Sequence, residues 1–97
     1  MGKIGKMKTA KQMERHLKGI SNHYRIEILL LIGANGVMTL EGIVESLNAN
    51  GKTIGEHTRR LYQAGLIIKK YHGKFVEHRL SPYGKNFVHF LKFFQTL

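Results

Sequence analysis

Residues 39–82, TLEGIVESLNANGKTIGEHTRRLYQAGLIIKKYHGKFVEHRLSP, change hydrophobic period midway, and the change decides the architecture. Thr39 is positioned to cap a short helix in which Leu40, Ile43, Val44 and Leu47 follow the i, i+3, i+4, i+7 rule. Asn48 and Asn50 punctuate the chain. A second helix is expected from Gly51 to about Gln63, with Ile54 and Leu61 inward, Lys52, Thr53, Glu56 and Arg59 outward, and Gly65 ending it. The period then shifts to that of strands. Leu66 to Tyr71 and Phe75 to Leu80 are rich in β-branched and aromatic residues and flank His72-Gly73-Lys74, which reads as a hairpin with a tight, basic tip. Ser81 and Pro82 form a cap and first-turn pair that opens a last helix.

Working outward, residues 1–8 are rich in Gly and Lys with no apolar period and are expected to form a mobile basic arm. Thr9 can cap a helix whose Ala10, Met13, Leu17 and Ile20 share one face, with Lys11, Arg15 and Lys18 on the others and Gly19 weakening its end. Ser21 and Asn22 are cap residues for the next helix. There Arg25, Ile28, Leu29 and Ile32 form a face while Ile26, Leu30 and Leu31 fill most of the rest, so it is expected to be the central buried helix, stopped by Gly33 and Asn35-Gly36. The expected fold is mainly α with a small β-hairpin (α+β): a winged helix-turn-helix of about five helices and a two-stranded wing, with residues 1–97 as a single DNA-binding domain.

The 97 residues are too few for a second core, and no Cys is present. That excludes disulfide scaffolds, thiolate zinc sites and Cys nucleophiles. The longest apolar run, Ile28 to Ile32, is far short of the roughly 20 residues of a membrane helix. The N-terminus lacks the apolar stretch of a signal peptide and position 6 is Lys, against myristoylation, so a cytoplasmic protein without membrane partners is expected. The net charge of +10 is unevenly spread: net +6 over Met1 to Arg25, net −3 over Ile26 to Gly51, and net +7 from Lys52 onward. Two flanking basic segments on a chain able to fold suggest an electropositive face for a polyanion, nucleic acid first. A solubilising surface charge is the plainer alternative.

Three segments together resemble the arsenical-repressor (ArsR) family. HLKGISNHYRIEILLL (16–31) is similar to its pattern of an Arg after a short polar step before an apolar helix, and TIGEHTRRLYQAGL (53–66) is similar to its recognition helix, with His57, Leu61 and the Ala64-Gly65-Leu66 exit. LIIKKYHGKFVEHRLSP (66–82) looks like its wing, with Gly73 and Lys74 at the tip. The resemblance spans about residues 16–85 and lies in order and spacing. It implies a homodimeric transcriptional regulator of double-stranded DNA, with repression the expected sense. Three residues depart from the pattern: Thr58 stands in a usually apolar place, Gly55 removes a side chain, and Glu56 puts an acid where a base is common. The MarR family and related winged-helix families share the skeleton.

The expected DNA-binding residues are Lys52, Thr53, Glu56, Arg59 and Arg60 on the second helix of the pair, and Lys70, His72, Gly73, Lys74 and Arg79 on the wing. Arg suits two-pronged contact with guanine, and Lys or Thr suits phosphate or a base edge. Against this stands a solvated helix face with a Glu56–Arg60 pair, and edge-strand lysines that oppose aggregation. The expected dimerisation face joins Ala10, Met13, Leu17 and Ile20 to Tyr83, Phe87, Phe90, Leu91, Phe94 and Leu97 of a C-terminal dimerisation helix, 81–97, widened by Phe93. Lys85, His89, Lys92 and Gln95 occupy its other side.

No cofactor or metal is expected. The six His include no pair at helical zinc spacing, and the last helix lacks carboxylates. His16 and His23 read as packing or capping residues, and His57 as half-buried beneath the recognition helix. Ser21, Ser46 and Ser81 are explained by caps or helix faces and the glycines form no dinucleotide fingerprint, so catalysis is not expected. The alternative functions are a winged-helix protein–protein interaction module without sequence-specific DNA binding, which has no need of +10, and a membrane-surface device.

Overall fold

The computed structural model describes residues 7–97; the expected basic arm, 1–8, lies outside the described residues except for Met7 and Lys8. The order is α1 (Ala10–Ile20), α2 (His23–Asn35), β1 (Met38–Thr39), α3 (Leu40–Leu47), α4 (Gly51–Gln63), β2 (Ile67–His72), β3 (Phe75–Leu80) and α5 (Pro82–Gln95). Each helix starts where a side chain can accept the orphan N–H groups of its first turn. Thr9 forms a capping box with Gln12, Asn22 accepts from Tyr24 and Arg25, Thr39 from Gly42, Asn50 from Lys52 and Thr53, and Ser81 from Gly84. Each such cap contributes about 1 kcal/mol.

α2 is the hub. Its Ile28, Leu29 and Ile32 are fully buried and meet Ile43 of α3, Ile54 and Leu61 of α4, Leu66, Ile67 of β2 and Val88 of α5 in one core cluster. Burial of each such side chain contributes about 1.5 to 3 kcal/mol. Ile26, Leu30 and Leu31 are only partly buried, so α2 is less enclosed than its sequence suggests. Gly33 does not stop this helix either. α2 runs on to Asn35 and ends at Gly36, whose φ of 84° needs glycine, whereas Gly33 lets α5 come close: a Cβ there would stand 3.2 Å from Val88 Cγ1.

Between α3 and α4, Asn48 takes the left-handed conformation (φ 49°, ψ 51°) and turns its N–H back to the Val44 and Glu45 carbonyls, so that Asn50 begins the next helix two residues later. Thr58 fits its apolar place because its hydroxyl donates to the Gly55 carbonyl at 2.9 Å within the same helix.

The sheet has a third strand that the hairpin reading lacks. Its order is β1-β3-β2, antiparallel throughout, with Met38 opposite His78 and Thr39 opposite Glu77. A two-residue strand has too little period to be read from sequence; it exists because β3 offers it an edge. His78 is buried there and its Nδ1–H donates to the Met38 carbonyl at 3.2 Å. In the β2–β3 hairpin His72 is already paired with Phe75, leaving only Gly73 and Lys74 as the turn. Gly73 has φ 61°, and a glycine with positive φ in first position is the requirement of a type II′ turn.

α5 is seated by Ser81, which donates to the Gly65 carbonyl at 2.6 Å, and by Gly84, where an added Cβ would lie 2.0 Å from the Leu66 carbonyl oxygen. Its core-facing side is Gly84, Val88 and Leu91. The aromatic stripe of the same helix therefore looks elsewhere.

Candidate nucleic-acid interface

α4 is fixed from below by Ile54, Thr58 and Leu61, which orients the other side of the helix to solvent. Lys52, Glu56, Arg59 and Arg60 are exposed and Thr53 is half-buried. The two arginines are not independent. One carboxylate, Glu56, accepts from Arg59 Nε at 3.2 Å and from Arg59 Nη2, and also from Arg60 Nε at 3.2 Å. The hydrogen bond from Arg59 is the main cause holding the Glu56 carboxyl below its ordinary value, and Glu56 in turn raises Arg59. The sequence pointed to the Glu56–Arg60 pair alone. Such pairs on an open helix face are worth little in water and leave guanidinium donors free for a phosphate or a base edge.

Behind this surface α4 is tied to α2. The His57 ring stacks on Tyr24, centroids 5.5 Å apart, and its Nδ1 accepts from Arg25 Nη1 at 3.1 Å. Because a guanidinium can only donate, His57 must be neutral, with its proton on Nε2. Burial first, then the Arg25 charge, hold its pKa below the ordinary value of 6.5. Sequence reading placed His57 as half-buried but missed this link. The signal was Arg25 itself, a charge at the head of the apolar row Ile28, Leu29, Ile32.

In the wing, side chains alternate. Ile68, Lys70 and His72 of β2 stand beside Arg79, Glu77 and Phe75 of β3 on one face, whereas Lys69 and Tyr71 share the other with His78 and Val76. Glu77 lies between His72 Nε2 at 3.4 Å and Arg79 Nη2 at 3.8 Å, so on this face too an acid sits beside an exposed guanidinium. Lys70, Gly73 and Lys74 are exposed. Lys69 turns inward, its ammonium 4.7 Å from the centroid of the Tyr62 ring, and so fastens the wing to α4.

The residues expected to dimerise form a groove between α1 and α5. It measures about 690 Å³, and its walls are Met13, Leu17, Phe90 and Phe94, each roughly half exposed or more. Ala10 is exposed at its rim and Leu97 beyond its end. Ile20 and Leu91 are only 5% and 8% exposed and belong to the core, forming the floor together with Ile26 of α2. Tyr83 and Phe87 are half-buried; the Tyr83 hydroxyl pairs with His16 Nδ1, and the Phe90 and Phe94 rings stack 5.8 Å apart. His16 is thus a packing residue, and the His23 ring lies tilted against Tyr24, centroids 4.4 Å apart. Among the described residues no three His, Cys, Asp or Glu side chains come together as a metal site, and no described helix is long and apolar enough to cross a membrane.

No protein-family profile matches the chain. Solved structures do share its fold. HlyU from Vibrio cholerae N16961 matches with a TM-score of 0.79 at 18% identity, covering 94% of this chain and 100% of the other. The transcriptional repressor BigR from Xylella fastidiosa matches with a TM-score of 0.75 at 17% identity over 84% of this chain and 81% of that one. The homodimeric winged helix-turn-helix DNA-binding domain of Mb0332 from Mycobacterium bovis, described as a possible ArsR-family transcriptional regulator, matches with a TM-score of 0.73 at 24% identity over 89% of this chain and 77% of that one. The chain has the winged helix-turn-helix fold, with α3 and α4 as its helix pair and β2–β3 as its wing.

Proposed function

We propose that the protein is a homodimeric, sequence-specific double-stranded DNA-binding transcriptional regulator, acting as a repressor in the cytoplasm, and not an enzyme. The observation that carries this reading is the outward face of α4. Lys52, Thr53, Arg59 and Arg60 project from a helix that is buried on its opposite side and preceded by a tight turn, next to a wing that carries Lys70, Lys74 and Arg79. α4 enters the major groove, where Arg59 reads a base edge and Lys52 and Thr53 hold phosphate or a base edge. The wing, through Lys70, His72, Gly73, Lys74 and Arg79, follows the neighbouring backbone. Glu56 sets the positions of Arg59 and Arg60 and releases one of them when a stronger acceptor arrives.

Two copies join through Met13, Leu17, Phe90 and Phe94 over the floor of Ile20 and Leu91, with Ala10, Tyr83, Phe87 and Leu97 at the margins. Neighbouring structures include a homodimeric winged helix-turn-helix domain, which supports a dimer of this kind. The two α4 helices then meet successive major grooves about 34 Å apart on an inverted repeat.

Selection from random duplex DNA, followed by titration at two salt concentrations, tests the reading. An inverted repeat is expected, with affinity falling by more than about tenfold between 50 and 200 mM salt. An unselected pool with a flat salt response would reject it and favour the protein-interaction module.

A further inference from the structure

Arg25 is a part-buried guanidinium with no carboxylate partner among the described residues. Nη1 donates to His57 Nδ1 at 3.1 Å and Nη2 to the Lys18 carbonyl at 3.5 Å, while Nε is buried with no partner at all. Two neutral acceptors face a full positive charge. Buried cations are ordinarily paired, because desolvation removes water as the alternative. Next to Arg25 opens a cleft of about 360 Å³ lined by Arg15, His16, Lys18, Arg60 and Gln63, with no Asp or Glu in its wall. Two of the lining cations already hold an acid on their own helix, Lys18 with Glu14 at 3.3 Å and Arg60 with Glu56 at 3.2 Å, which leaves Arg15 and Arg25 without one among the described residues. Burial first, then the charge of Arg60, hold the Arg25 pKa below its ordinary value.

We propose that this cleft, between the C-terminal half of α1, the first turn of α2 and the last turn of α4, binds a phosphate-type oxyanion supplied by a DNA backbone phosphate or by a free phosphorylated small molecule. Several cations from three helices match a tetrahedral group with multiple acceptor oxygens and more than one charge better than a single carboxylate. Gln63 adds an uncharged donor. The cleft is distinct from the first turn of α4, where Lys52 and Thr53 lie, and an anion seated in it braces α4 against α1 and α2. Only the DNA source depends on the proposed function; the free anion does not.

Inorganic phosphate is titrated at constant ionic strength, with chloride as the balancing salt, while the Arg25 Nε–H and His57 ring signals are followed by NMR. Saturable shifts are expected for the wild type. Arg25→Gln removes a tie between helices and risks the fold, so the deciding variants are Arg15→Gln and Gln63→Glu, both at exposed positions. The first is expected to weaken phosphate binding by about threefold, and the second, which supplies the missing carboxylate, by about tenfold. Linear shifts that chloride reproduces, or equal responses in wild type and Gln63→Glu, overturn the proposal. Duplex DNA then separates the two sources. If Gln63→Glu lowers the salt slope of duplex binding by about 1, the anion is a backbone phosphate. If phosphate binding is lost while duplex binding is unchanged, it is a free anion. Failure of the wild type to bind any duplex removes the proposed function but leaves the phosphate result standing.

Discussion

The outward surface of α4 and the wing differs from the α1–α5 groove in how the chain treats what it exposes. On the first, the chain supplies partial neutralisation of its own, with Glu56 between Arg59 and Arg60 and Glu77 beside Arg79. On the second, Phe90, Phe94, Met13 and Leu17 face solvent with no cover among the described residues. Charges in water have an alternative partner and lose little by waiting, whereas apolar rings have none. The basic surface is therefore suited to a reversible, salt-sensitive contact, and the groove to a lasting, salt-insensitive one.

Breaking the groove tests that contrast most severely. Phe90→Ala with Phe94→Ala is expected to cost on the order of 4 kcal/mol of dimerisation, about a thousandfold, and sedimentation at micromolar concentration reads it as loss of the dimer. A wild type that is monomeric there, with or without DNA, removes the assigned role of the groove.

Gly84→Ala strikes the groove through the seat of α5, because the new Cβ meets the Leu66 carbonyl oxygen at 2.0 Å, just before the wing begins. A destabilisation of about 2 to 3 kcal/mol is expected in urea unfolding. An unchanged midpoint means that α5 shifts freely and that the groove it forms is not rigid.

On the charged side, Arg59→Ala is expected to flatten sequence preference by tenfold or more at one base position, measured by competition between selected and scrambled duplexes. Lys74→Ala weakens all duplexes alike. Equal behaviour of the two variants erases the division between reading and positioning. Glu56→Gln is expected to tighten duplex binding severalfold and steepen its salt dependence, since the two guanidinium groups lose the carboxylate charge between them.

The smallest effect is one of pH. The folded pKa values of His57 and His78 are both lowered chiefly by burial, so the folded state prefers the neutral rings. Their contribution to stability is complete above the unfolded value of about 6.5 and is lost as pH falls through the depressed folded values. The thermal midpoint is expected to drop between pH 7 and pH 5, and His57→Gln to reduce that drop. An identical pH profile in the variant shows that His57 does not contribute to the drop.

Local chemistry determined much of this from the sequence. Thr9, Asn22, Thr39, Asn50 and Ser81 mark every helix start, and the bounds of α4 follow from Asn50 and Gly65, because caps and left-handed turns act within a few residues. The change of period after Gly65 was likewise sufficient to place the wing. Only the tertiary structure decided which groups meet across long separations. β1 becomes a strand because β3 lies beside it, and Gly33 continues a helix because α5 needs room there. Ile20 and Leu91 fall on the core side of a face that periodicity alone drew as one stripe, since a helical period gives the spacing of a face and not what covers it. Arg25 finds His57 thirty-two residues away, and gathers Arg15, Lys18 and Arg60 around one cleft. Such a meeting depends on how three helices cross, which no local rule in the chain encodes.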